Sequence, residues 1–124
     1  MGYERNEIYR GIGEMAYVIA HASKGFDGKD KEAFYEIIEE ELKYDSWAVE
    51  SRFELLEEEL HPDIESAYRA ALYEFKKYHD HLDNDLKEKA IRVIKRIAAV
   101  YHGHTSKVEE FIINQFEEEL RQIE

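Results

Sequence analysis

The side chains of this sequence best suited to hold a metal ion or move a proton are its six histidines and its runs of glutamate. Histidine titrates close to neutral pH and is a common ligand for zinc and related ions. Two close pairs occur, His79-Asp80-His81 and His102-Gly103-His104, while His21 and His61 stand alone. The pairs cannot share one intramolecular site, because the helix expected between them, about 18 residues long, spans roughly 27 Å. Helices that alternate in direction bring His21, His61, His102 and His104 to one end and send His79 and His81 to the other. Asp27 and Glu109 are the oxygen donors expected beside the first group. Two or three imidazoles with a carboxylate suit Zn²⁺, and the affinity falls as the imidazoles protonate below about pH 6.5. The expected metal set is therefore His21, His61, His102, His104, Asp27 and Glu109, for a divalent ion such as Zn²⁺ or Ca²⁺. The plainer reading is that turns collect histidines because they are polar.

Three segments share an acidic ending: EIIEEELK at 36–43, ELLEEELH at 54–61 and NQFEEELR at 114–121. Three glutamates one turn before a helix C-terminus stand against carbonyls that already make that end electronegative. Either an acidic surface binds something there, or long side chains reach into screened solvent. Glu58-x-x-His61 matches half of a carboxylate-bridged di-iron motif, and the chain has no second Glu-x-x-His. There is no G-x-S-x-G, P-loop or G-x-G-x-x-G; Gly11-Ile12-Gly13 lies inside a helical period and lacks the third glycine. Most tyrosines flank apolar stripes, as core rims with a wet hydroxyl do. No catalytic or cofactor-binding residue is nominated, and an enzyme is the less favoured class.

The elements that must position these groups are helices. A first helix is expected from Glu4 to about Ser23, with Ile8, Ile12, Met15, Ile19 and Ala22 on one face; Gly11 and Gly13 mark a close helix contact or a kink. Asp27 or Asp30 caps a second, with Phe34, Ile37, Ile38 and Leu42 inward. After Asp45-Ser46 a third carries Val49, Phe53, Leu56 and Leu60, with Trp47 packing its first turn. His61-Pro62 ends it, and Pro62 opens a fourth bearing Ile64, Ala67, Ala71, Phe75, Tyr78 and Leu82. A break at Asp83-Asn84-Asp85 precedes a fifth helix with Leu86, Ala90, Ile94, Ile97 and Tyr101. The sixth begins at the capping box Ser106-x-x-Glu109 and turns Val108, Phe111, Ile112, Phe116, Leu120 and Ile123 inward. No segment alternates at strand period. The expected fold is all-α, one compact domain over 1–124 of about six antiparallel helices joined by short connections.

Composition narrows the function classes. The 124 residues carry a net charge of −12 and no cysteine, which excludes disulfides, thiol catalysis and cysteine-ligated metals. Nucleic-acid binders present a basic face, and the single basic cluster, Lys87, Lys89, Arg92, Lys95 and Arg96, reads as a solvated helix face interrupted by Asp85 and Glu88. No apolar run reaches the roughly 20 residues of a transmembrane helix. The opening MGYERNEIYR lacks the apolar core of a signal peptide, so a cytoplasmic location is the expectation.

A gap-free echo links residues 15–42 to residues 93–120, pairing Ile19 with Ile97, Ala20 with Ala98, Gly25 with Gly103, Lys29 with Lys107 and Glu32 with Glu110. It suggests a degenerate helix–turn–helix repeat. At its two turns the chain resembles the tellurite-resistance TerB-like family of small all-helical domains. Ala20-His21-Ala22, Asp27-Gly28 and Glu32 carry the likeness in the first copy; Gly103, Ser106 and Glu109 carry it in the second, where His102 replaces the family's aspartate. The resemblance implies an acidic bacterial module, soluble or membrane-peripheral, associated with stress response and able to bind metal. The expected function is a non-enzymatic acidic helical scaffold for a protein partner with a basic surface, or for a divalent cation. The alternative is a small metalloenzyme or metal sensor using the histidine-rich end.

Overall fold

The computed structural model describes residues 2–22, 27–100 and 106–123. Ser23, Gly25, Tyr101, His102, Gly103 and His104, on which parts of the sequence reading rest, lie outside the described residues. The described residues contain no strand; they form α1 (Gly2–Ala22), α2 (Gly28–Leu42), α3 (Ser46–Leu55), α4 (Ile64–Lys77), α5 (Asn84–Val100) and α6 (Lys107–Arg121).

The molecule is built around α1. Every position from 11 to 20 is buried, so the face predicted through Ile12, Met15 and Ile19 is only part of a helix enclosed on all sides. Glu14 is the single charged residue in that stretch, and a helix apolar all round belongs in the interior. α3, α4, α5 and α6 pack on α1, while α2 lies outside it against α3 and α5. The two glycines of α1 permit this crowding. A Cβ at Gly13 would stand 2.5 Å from the Val49 carbonyl oxygen, and one at Gly11 would stand 3.1 Å from the Phe75 ring. They mark close contacts with α3 and α4 respectively.

Side-chain caps set the starts of α2, α4, α5 and α6, whereas α3 continues from α2 without one. Asp27 and Asp30 form a capping box at α2, and Ser106 and Glu109 form another at α6. Asp63 caps α4 through the Ser66 amide, so Pro62 precedes the cap instead of opening the helix as predicted; the carboxylate accepts a bond that proline cannot. Asp83 accepts from the Leu86 amide at the start of α5. Residues 28–60 are helical throughout. α2 passes through a 3-10 turn, Lys43–Asp45, into α3, and α3 ends in a π turn, Leu56–Leu60. The junction predicted at Asp45-Ser46 is therefore a bend, turning at Lys43 with φ 51°. At this corner Trp47 is half-exposed beneath the Arg10 guanidinium, not packed into the first turn of α3.

The inward faces of α2 and α5 match the predicted stripes, as does that of α4 through Phe75. Helix α4 stops at Lys77, before Tyr78 and Leu82. α6 departs from its stripe: the buried residues are Glu109, Ile113, Phe116 and Leu120, while Val108 is 56% and Phe111 69% exposed. The helix carries more apolar residues than one face can bury, and the excess lies on its flank. Leu60, expected inward, is 60% exposed beyond the last buried turn of α3. The arms of the sequence echo occupy different surroundings: α1 is enclosed, whereas α5 keeps an exposed face bearing Arg92, Lys95 and Ala99. Their capping boxes, at Asp27 and Ser106, are 79 residues apart, one off the 78-residue register of the echo.

Candidate functional site

Of the elements predicted to carry the metal donors, the end of α1 and the His61 junction lie side by side. The Tyr17 hydroxyl donates to the Pro62 carbonyl at 2.8 Å, which joins the last turns of α1 to the junction carrying His61. His21 stacks on Tyr17, and its Nε2 lies 2.9 Å from Glu57 Oε2. His81 faces Glu4 at the opposite end, 3.2 Å away. The other predicted donors have local duties. Asp27 Oδ1 accepts the Lys29 and Asp30 amides. Glu109 accepts the Ser106 amide and is 1% exposed, out of reach of an ion in solvent. His61 is exposed, in the left-handed region at the end of the π turn, and His102 and His104 lie outside the described residues. Among the described residues no group of three or more histidines or carboxylates is arranged to hold a metal.

The glutamate triplets are largely cross-helix partners instead of a free acidic surface. Glu40 and Glu41 of α2 take Arg92 and Arg96 of α5. Glu117 of α6 takes Lys95 and Arg121. Glu57 meets His21, and Glu58 meets Lys31. Three residues of the basic cluster on α5 keep a solvated face, as expected, and each also pairs with a glutamate of α2 or α6. Lys87 is buried and donates to the Ile123 carbonyl. The ion pairs have one cause: helices packed side by side align opposite charges that a linear reading treats separately.

Two seams flank α4 on the surface of α1, and they differ in chemistry. Toward α3 the seam is polar and buried. Glu7 and Glu14, two turns apart on α1, face Arg52 of α3 and Glu74 of α4; Arg52 Nη1 is 2.9 Å from Glu14 Oε2. The Glu7 and Glu74 carboxyls lie side by side, and Glu74 Oε2 is buried with no hydrogen-bond donor among the described residues. A hydrogen bond between them needs a proton, since two carboxylates only accept. Burial, the hydrogen bond to Glu7 and the charges of Glu7 and Glu14 push Glu74 up to about 7. Burial alone would raise Glu7 as well, but bonds from Glu74 and Arg10 outweigh it and hold Glu7 below the usual carboxylate range. Glu74 is accordingly the donor. Burial raises Glu14 despite Arg52, and its Oε1 has no hydrogen-bond partner. Nothing in the sequence reading singled out this cluster. The available signal was Glu14, a lone charge inside an apolar run.

Toward α6 the seam is an open apolar groove of about 820 Å³. One wall is α4, through Ile64, Tyr68, Leu72 and Tyr73; the other is α6, through Ile112 and Gln115; Val18 closes the base. Tyr73 and, beside the groove, Phe111 and Val108 are more than half-exposed. The Tyr68 hydroxyl donates across the groove to Glu119. Burial and the Glu119 carboxylate push that phenol well above its ordinary range. Glu65 and Arg69 pair with each other on the α4 rim at 2.8 Å, while Glu118 and Glu119 form an acidic rim on α6. Of the excess apolar residues of α6, Ile112 lines this groove, while Phe111 borders a separate depression with Asn114, Gln115 and Glu118.

No protein-family model, curated protein or solved structure matches the chain.

Proposed function

We propose that this chain is a non-enzymatic interaction module that receives the apolar face of a partner protein in the groove between α4 and α6. The observation carrying this reading is a concave apolar seam whose lining is partly exposed at Ile64, Tyr68 and Ile112 and openly exposed at Tyr73, a surface of the kind presented to a partner. The acidic triplets recede as a binding surface because many of their carboxylates are engaged within the fold; their remaining excess favours solubility. The TerB-like resemblance would make the chain one of a class of stress-associated helical modules, and its support is the sequence of the two turns alone.

The test uses a neutral solvatochromic dye, Nile red, with the wild type, Ile112→Glu and Leu60→Glu. Ile112 borders the groove, whereas Leu60 is an exposed apolar residue away from it. Saturable, blue-shifted fluorescence should survive in Leu60→Glu and disappear in Ile112→Glu, with both variants helical by circular dichroism. Equal dye binding by all three proteins would reject the groove as the site.

A further inference from the structure

Resting on that reading, we infer that the occupant of the groove is a three-turn amphipathic helix of another protein, with lysine or arginine along the flank that faces α6. Its length and shape come from the walls. On α4 the lining runs from Ile64 to Lys76, and on α6 from Ile112 to Glu119. At about 1.5 Å per residue the α4 wall is roughly 18 Å long, about three helical turns, and the α6 wall roughly 10 Å, about two. A helix as long as the α4 wall and about 10 Å across fills roughly 1400 Å³. The groove, at about 820 Å³, takes a little more than half of it. That is the depth at which an amphipathic helix buries its apolar face and leaves its polar face in water. An extended strand would leave the width unfilled, and there is no sheet edge among the described residues for it to join.

The charge of the occupant follows from the rims. On α4, Arg69 already pairs with Glu65, and exposed Lys76 puts a positive charge on that wall, so an incoming cation is placed on the α6 side. On α6, the hydrogen-bond partner of Glu119 among the described residues is the neutral Tyr68 hydroxyl, and Glu118 beside it is exposed. A lysine or arginine on the incoming helix offers Glu119 a charge-assisted bond, stronger than the one the phenol supplies. Displacing Tyr68 also frees its ring to lie against the apolar face of the ligand. A second copy of this chain fits poorly, because each copy carries −12 and like charges would be brought together.

The experiment uses two synthetic helical peptides of about 14 residues, identical in their leucine face, one flanked by lysine and the other by glutamine. Affinities are measured for the wild type, Ile112→Glu and Glu119→Gln. The lysine peptide should bind the wild type about tenfold more tightly than the glutamine peptide, a preference that salt weakens. Glu119→Gln should abolish most of the preference while still binding both peptides. Ile112→Glu adds a negative charge, so diffuse attraction to an acidic protein would strengthen lysine-peptide binding, whereas occupancy of the groove predicts its loss. Tyr73→Glu, at an exposed position on the opposite wall, repeats that comparison should Ile112→Glu unfold. Equal affinity of the two peptides for the wild type would overturn the charge inference and leave the groove reading standing. Tighter lysine-peptide binding by both glutamate variants would overturn the inference by showing association elsewhere on the surface. A micromolar homodimer dissolved by Ile112→Glu would replace the foreign helix with a second copy.

Discussion

Replacing Glu74 by glutamine should make the protein more stable at alkaline pH and no more stable at acidic pH. In the folded chain the Glu74 carboxyl is lifted from an ordinary 4.5 to about 7. A carboxyl whose folded value lies above its unfolded one contributes stability that is complete below the unfolded value and is lost as pH rises through the folded value. The loss attributable to Glu74 therefore falls between about pH 5 and pH 8.5. At about 1.4 kcal/mol per pH unit the ceiling is roughly 3 kcal/mol. Glu74 is only partly buried, and solvent screening reduces this to about 1–1.5 kcal/mol. Glutamine keeps an N–H donor toward Glu7 at every pH, in place of a proton that the wild type sheds. At about pH 8.5 the variant should melt about 5 °C above the wild type, taking roughly 3–6 °C per kcal/mol for a chain of this length. At about pH 5 the two should melt together. The assay is far-UV circular dichroism across that range at constant ionic strength. An unchanged pH slope in Glu74→Gln, or a variant weaker than wild type at alkaline pH, would refute the shared proton.

Glu50→Gln should flatten a second, independent part of the same slope, because burial, its bond to Glu39 and the nearby Glu54 push Glu50 up to about 7; thermal melts of the double variant with Glu74→Gln should show the two effects adding. Gly13→Ala should cost about 1–3 kcal/mol in chemical denaturation, since its methyl would meet the Val49 carbonyl oxygen at 2.5 Å; a neutral result would mean that α3 is free to shift. Ser106→Ala should cost about 0.5–2 kcal/mol in the same measurement by removing the hydroxyl that caps the Glu109 amide, and a loss well below that range would show that water replaces the cap.

What the sequence made legible was periodicity and punctuation. The stripes of α2 and α5 and the caps Asp27, Ser106 and the Asp83 break all depend on residues within a turn or two of each other, and the structure keeps them. What stayed illegible depends on neighbours distant in sequence. The amphipathic reading of α1 counted one face and left Glu7 and Glu14 out; Arg10, Arg52 and Glu74 make their burial tolerable. The glutamate triplets looked like an unpaired surface until α5 supplied Arg92, Lys95 and Arg96. On α6 the apolar stripe was too wide to assign, and the choice of Ile113 over Phe111 for the core was made by where α1 and α5 lie. The histidine end was partly foreseeable from helix direction, as the Tyr17–Pro62 bond shows. No spacing rule could reveal that Glu57 would take His21.

The groove and the carboxyl cluster are consequences of one packing choice. Gly11 lets the Phe75 and Ala71 turns of α4 settle onto α1, with the Phe75 ring 3.1 Å from where a Cβ would stand. Glu74 and Leu72, two residues apart, point about 160° from each other around α4. With Ala71 and Phe75 seated on α1, Glu74 is driven into the seam with α3 and Leu72 into the seam with α6. The first seam has Arg52 available and closes around buried charge. The second receives only the flank of α6, whose core face is already spent on Ile113, Phe116 and Leu120, and it stays open. Any movement of α4 on α1 therefore changes both seams together.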